Sequence, residues 1–284
     1  MTKHLKLWAI GGRYVDLVGG IIRTRSFCGS GSDNWDPIAW PWAPPPDCES
    51  RMYYCPNGLC LSPRSCAVVY EVRVTRFIYL HGFASSPRST KAVFFSERLT
   101  RLGHVVDVPD LEEGDFAGLT ITRQLSVVRR EIARAPGELT LIGSSMGGYL
   151  ALLAAAEEPR VRRLMLMAPA IDMRAQWALR YGAEKLAAWK AKGVAPTFHH
   201  AYGEERLIGY GLYDDLGRHD PAPSVSIPTL AFMGRRDDTV APAAVERWAS
   251  QNASVRLRWL DSGHELVDQL ETMWSETAAF FGLV

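Results

Sequence analysis

The chain has 284 residues, 47% of them hydrophobic, and 32 basic side chains stand against 31 acidic ones for a net charge of +1. This length admits one large domain or two small ones, with enough apolar residues for a sizeable core. The charge balance removes any electrostatic case for a nucleic-acid partner or an anionic membrane surface. No run approaches the roughly 18 apolar residues that a membrane span requires. The apolar run from Leu7 breaks at Arg13 and Asp16, too early for a secretory signal, so a cytoplasmic location is expected.

In chain order, residues 1–66 read differently from the rest. They hold all five cysteines, Cys28, Cys48, Cys55, Cys60 and Cys66, an odd number with no Cys-x-x-Cys pair. That argues against both a closed disulfide framework and a zinc site. Between Ser26 and Pro63 no period of 2 or 3.6 persists, and Pro41 and Pro44-Pro45-Pro46 exclude helix. A small metal or disulfide module and an extension packed on the main domain are the alternatives. The expectation is a poorly ordered or non-conforming N-terminal extension, of the kind an upstream start codon would add.

The pattern becomes regular over 67–284. Val68 to Val74 alternates as a half-exposed edge strand, and Arg76 to Leu80 is an apolar strand ending at His81-Gly82. A helix is expected from Ser89 to Leu102, stopped by Gly103, then a short strand from His104 to Pro109 and an amphipathic helix from Thr120 to Arg134. Strands follow at Leu139 to Ile142 and Arg163 to Met167, with a helix from Met146 to Ala156 between them. Thr229 to Met233 and Val255 to Leu260 are further strands, with helices at Ala243 to Ser250 and Leu266 to Phe281. Strands alternating with helices imply an α/β fold with a mostly parallel sheet covered on both faces. Residues 171–225 interrupt the alternation as a cap-like insertion. It has one expected helix, Met173 to Lys192 with Gly193 as C-cap, and many aromatic residues including Trp177. A cap over a site and a surface excursion with its own small core are the two readings.

The chemistry centres on Gly143-Ser144-Ser145-Met146-Gly147, set between an apolar strand and an apolar helix. Gly-x-Ser-x-Gly in that context is the sharp turn that presents a serine nucleophile, and side chains at the two glycines would strike the neighbouring strand and helix. A hydroxyl needs a base, and the base needs a group to fix its tautomer. Asp237 and Asp238 follow the strand ending at Met233, with Asp237 preferred as the acid, although either could cap the helix entered at Pro242. His264, preceded by Gly263, follows the next strand and is the candidate base. The backbone N–H groups of Met146 and Phe83 are the candidate donors to a developing oxyanion. Gly82 permits close approach, and His81 orients that loop or is structural. His81, Gly82 and Trp177 are the candidate substrate contacts. His104 reads as structural, Arg129, Arg130 and Arg134 as a solvated helix face, and His199-His200 lacks a third ligand, so no metal is expected.

The sets Tyr79-Leu80-His81-Gly82-Phe83, Gly143 to Tyr149, Gly234-x-x-Asp237-x-x-Val240 and Gly263-His264 resemble the α/β-hydrolase superfamily. Within it, His81-Gly82-Phe83-Ala84-Ser85-Ser86-Pro87 and Gly143-Ser144-Ser145 look like the small YqiA-like bacterial esterases, and the insertion is similar to that of mitochondrial acyl-protein thioesterase relatives. The resemblance covers residues 74–284. It implies a Ser145–His264–Asp237 triad acting without a cofactor on small-molecule carboxylic esters or thioesters. A non-catalytic binding module on the same fold is the reading from another class.

Overall fold

In the computed structural model, residues 75–283 are described continuously, together with the strands β1 (Leu5–Ala9), β2 (Arg13–Val18), β3 (Ile21–Ser26) and β4 (Glu71–Arg73). The five cysteines and the proline-rich stretch lie outside the described residues. Two compact units divide at Val74/Thr75. In the first, β1 to β4 form an antiparallel sheet in sequence order, with Trp8 opposite Tyr14, Val18 opposite Ile21 and Ile22 opposite Val72. The strand expected at 68–74 is thus the short β4, paired with β3. None of the three strands before it was foreseen.

The second unit is built on six parallel strands. They are β5 (Arg76–Leu80), β6 (Val105–Asp107), β7 (Leu139–Ser144), β8 (Val161–Met167), β11 (Thr229–Gly234) and β12 (Val255–Leu260), in the spatial order β12-β11-β8-β7-β5-β6. Phe77 to Leu80 of β5 and all of β7 are buried, as continuous apolar runs in a two-sided parallel sheet must be. Helices α1 (Thr90–Arg101), α2 (Ile121–Arg134), α3 (Met146–Glu157), α6 (Pro242–Ser250) and α7 (Leu270–Phe281) make the crossovers and the closing layer. The chain steps outward from β5 to β6 and then back past β5 to β7. Right-handed crossovers in opposite directions put α1 and α2 on opposite faces. They also create a switch point at the carboxyl ends of β5 and β7, where a ligand crevice opens in such sheets.

The insertion departs most from expectation. Helix α4 runs over Met173–Lys192 as expected, but Gly182 at φ 72°, ψ 164° breaks it into two segments. It is followed by an antiparallel hairpin, β9 (Val194–His199) and β10 (Glu204–Gly209), and a short helix α5 (Gly211–Leu216), none of which was foreseen. The strand β9 contains Pro196 and turns Val194, Pro196 and Phe198 outward. A proline in a strand with its apolar residues facing solvent inverts the usual alternation signal.

Candidate active site

Ser145 follows the last residue of β7 and precedes the first of α3, with φ 53° and ψ −116°. A non-glycine residue there holds strain of order 1–3 kcal/mol, retained only where the surroundings enforce it. The surroundings are backbone. A Cβ on Gly143 would lie 2.5 Å from the carbonyl oxygen of Gly147. One on Gly147 would strike the carbonyl oxygens of Leu80 and His81, the latter at 2.5 Å. The two glycines of the motif therefore let β7, α3 and the end of β5 meet, and the serine is thrust out of that junction.

The residues expected to act together do meet. The Ser145 Oγ lies 3.1 Å from Nε2 of His264, and Nδ1 of His264 lies 2.8 Å from Oδ2 of Asp237. The other oxygen of Asp237 accepts the N–H groups of Thr239 and Val240, both at 2.8 Å. Its side chain is fully buried, which fixes the carboxylate and leaves Oδ2 for the imidazole. In that arrangement Nδ1–H donates to Asp237, and bare Nε2 accepts from the serine hydroxyl. Asp238 is exposed, accepts from the Thr239 hydroxyl at 3.2 Å, and does not reach His264. A Cβ on Gly234 would collide with the carbonyl of Gly263 and come within 2.6 Å of that of Ser262. A bare backbone at the end of β11 thus lets the loop carrying His264 lie against the one carrying Asp237.

The loop after β5 lies beside the serine, since a Cβ on Gly82 would sit 3.5 Å from that of Ser145. Among the described residues neither the Phe83 nor the Met146 N–H has a protein acceptor, so both are free to donate to a reacting oxygen. His81 is 2% exposed; its Nε2 accepts from the Leu111 N–H at 3.2 Å and its Nδ1 lies 3.0 Å from the Gly82 carbonyl. With both nitrogens occupied, it fixes the loop from beneath and has no free polar atom for a substrate. Burial holds its imidazole below the ordinary 6.5. Trp177 on α4 stands with its ring 5.7 Å from that of Phe83, edge to face, so the insertion reaches the donor loop.

Four features of this region escaped the sequence reading. Lys91 is buried at the start of α1 and donates to the Glu265 carbonyl at 2.7 Å. Gln176 accepts from the Ala241 N–H at 2.7 Å, tying α4 to the segment after Asp237. The His200 N–H donates to the Ala84 carbonyl at 2.9 Å, pinning the hairpin to the donor loop. Beside it, fully buried His199 bonds Glu112 through Nε2 at 2.9 Å, and burial raises the Glu112 carboxyl above its usual range. Each joins segments far apart in sequence, and only Lys91 left a local signal: a cation in a helix's first turn opposes the helix dipole. His104 accepts from the Thr75 N–H and packs edge-on to Phe77. Arg129 and Arg134 form exposed ion pairs with Glu157 and Glu131, and Arg130 pairs with Glu113.

The parallel sheet, its switch point and a strained serine turn after its central strand define an α/β-hydrolase fold. Residues 76–208 match the model of "Uncharacterised protein family (UPF0227)". The chain is similar to the bovine (Bos taurus) "Palmitoyl-protein thioesterase ABHD10, mitochondrial", 28% identical over 211 residues that cover 68% of each chain. Among solved structures it resembles mouse "Alpha/beta hydrolase domain-containing protein 10", with a TM-score of 0.64, 22% identity, and coverage of 74% of this chain and 90% of that one. It also resembles Est1E from Butyrivibrio proteoclasticus, solved with ferulic acid, with a TM-score of 0.62, 19% identity, and coverage of 73% and 88%.

Proposed function

We propose that the protein is a serine hydrolase that cleaves carboxylic esters of small or apolar acyl groups through an acyl-enzyme. The observation that carries this reading is the unbroken path from Asp237 through His264 to the Ser145 hydroxyl, with bonds of 2.8 and 3.1 Å. His264 takes the serine proton as Oγ attacks the acyl carbon. The Phe83 and Met146 N–H groups hold the oxyanion, and the imidazolium then protonates the departing alcohol. Water, deprotonated by the same imidazole, releases the acid and restores Ser145. Every proton and bond in this cycle is handled by these side chains and water, so it draws on no cofactor. Aromatic rings at Phe83, Phe116 and Trp177 beside the donor loop favour an apolar acyl or aryl group. The name of the bovine relative favours a second reading, an acyl-protein or acyl-CoA thioesterase, or an acyltransferase using the same residues.

Turnover of p-nitrophenyl acetate and butyrate and labelling by a fluorophosphonate test the reading. Ser145→Ala is expected to lower kcat by about 10⁶ and abolish labelling while the protein stays folded. Asp237→Asn is expected to cost about 10⁴, with Asp238→Asn close to the parent. Retained turnover in the serine variant would exclude Ser145 as nucleophile. Butyryl ester and butyryl thioester compared side by side separate the two readings.

A further inference from the structure

Lys91 occupies a place that neither packing nor helix energetics accounts for. It is 8% exposed and lies in the first turn of α1, where the helix dipole disfavours a cation. Its ammonium makes no ion pair within 4 Å among the described residues, and its hydrogen bond goes to a main-chain carbonyl, that of Glu265, at 2.7 Å. Burying a charge with so little compensation is costly, and an uncharged side chain of similar volume would fill the space. Burial pushes the Lys91 ammonium below the ordinary lysine range, while the Glu265 and Asp237 carboxylates act against that shift.

What the lysine touches gives it a use. Glu265 is the residue after His264, and α1 follows the loop that carries the Phe83 N–H. The far side of the His264 loop is already tied to the end of β11, through the Arg236 N–H to the Ser262 carbonyl at 3.0 Å and through the closeness of Gly234 to Gly263. We propose that Lys91 is a positioning residue for the general base, anchoring the near side of the His264 loop to the helix behind the donor loop. The other charged groups near His264 are Asp237 and Glu265. The Arg236–Asp261 pair and Asp268 lie on the outer side of the same loop, and Arg180 reaches the Asp238 carbonyl. The first turns of α1 and α3 contain no acidic residue to offset the lysine. The proposal rests on the serine-hydrolase reading.

The test is kcat and KM for p-nitrophenyl butyrate in the full chain carrying Lys91→Met or Lys91→Arg, with melting temperature and the rate of fluorophosphonate labelling recorded alongside. Lys91→Met is expected to lower kcat about 10-fold with KM little changed. Its rate of fluorophosphonate labelling should fall by a similar factor, because the probe reacts with the same activated serine. Lys91→Arg keeps a cationic donor, so it should recover part of the kcat lost in Lys91→Met with KM again little changed. A folded Lys91→Met protein with the parent's kcat overturns the proposal. If Lys91→Met does not fold, a folded Lys91→Arg protein whose KM rises while kcat stays at the parent value overturns the proposal. A parent protein that neither labels nor turns over fails at the serine-hydrolase reading, and the proposal falls with it; a parent that does both isolates the lysine.

Discussion

The turn at Ser145 and the insertion over 171–225 are held by different kinds of contact. Around Ser145, backbone meets backbone: Gly143 against Gly147, Gly147 against Leu80 and His81, and Gly234 against Gly263. In the insertion, side chain meets side chain. Trp177, Tyr181 and Trp189 lie 6.0 to 6.2 Å apart, and Trp189 continues to Tyr210 at 5.5 Å. A hydrophobic contact tolerates many residues, whereas a carbonyl packed on a Cα admits only glycine. The first region is therefore rigid and written in a few letters. The second is adaptable, and its form is set by packing spread over many positions.

Exchanging glycines between the two regions breaks the comparison most sharply. Gly147→Ala places a methyl group on two main-chain carbonyls that cannot swing aside, and is expected to cost more than about 3 kcal/mol or prevent folding. Gly182→Ala, at a positive φ but with open space around it, should cost about 1–3 kcal/mol of local backbone strain. Urea denaturation of both variants measures the difference, and equal losses would sink the distinction. Trp177→Ala probes the adaptable region. It should lower kcat/KM about 10-fold for long or aromatic acyl esters and leave the acetate ester within about twofold. An equal loss on acetate would mean that Trp177 supports the donor loop and does not contact the acyl group.

The smallest expected effect is on stability against pH, through His81 beneath the donor loop. Its imidazole is held below the ordinary 6.5 by burial, with Asp110 and the Gly82 carbonyl acting against. A lowered value in the folded state means that the stability it contributes is present above 6.5 and lost as pH falls through the folded value. The urea midpoint should decline on that acid side, with a slope of at most about 1.4 kcal/mol per pH unit for one proton. A His81→Asn variant, less stable overall, should decline less steeply; a slope equal to the parent's would remove His81 as the cause. Glu112, whose carboxyl is raised by burial, works in the opposite sense nearer the carboxylate range.

Much of the second unit was legible because its strands β5, β7 and β11 are buried, largely apolar runs and its helices are punctuated by Gly103, Gly193 and Gly282, each at positive φ. The hairpin at 194–209 was not, since Pro196 and the outward Phe198 and Leu207 erase the alternation that marks a strand. The strands at 13–18 and 21–26 flank Gly19-Gly20, whose sequence is a two-residue hairpin signal that composition and cysteine content overshadow. At the site, Ser145, Asp237 and His264 could be named because each follows a strand end. Lys91 and the Glu112–His199 pair could not, because their partners lie 174 and 87 residues away.

By itself, the sequence determined the parallel sheet, the serine turn and the order serine, acid, histidine, because local sterics and periodicity constrain neighbouring residues wherever the rest of the chain goes. Only the tertiary structure placed Asp237 and not Asp238 against His264, left Phe83 and Met146 with unpaired N–H groups, broke α4 at Gly182 and set Lys91 against the Glu265 carbonyl. Those outcomes turn on which distant backbone supplies a partner or a collision, and no short-range pattern encodes that.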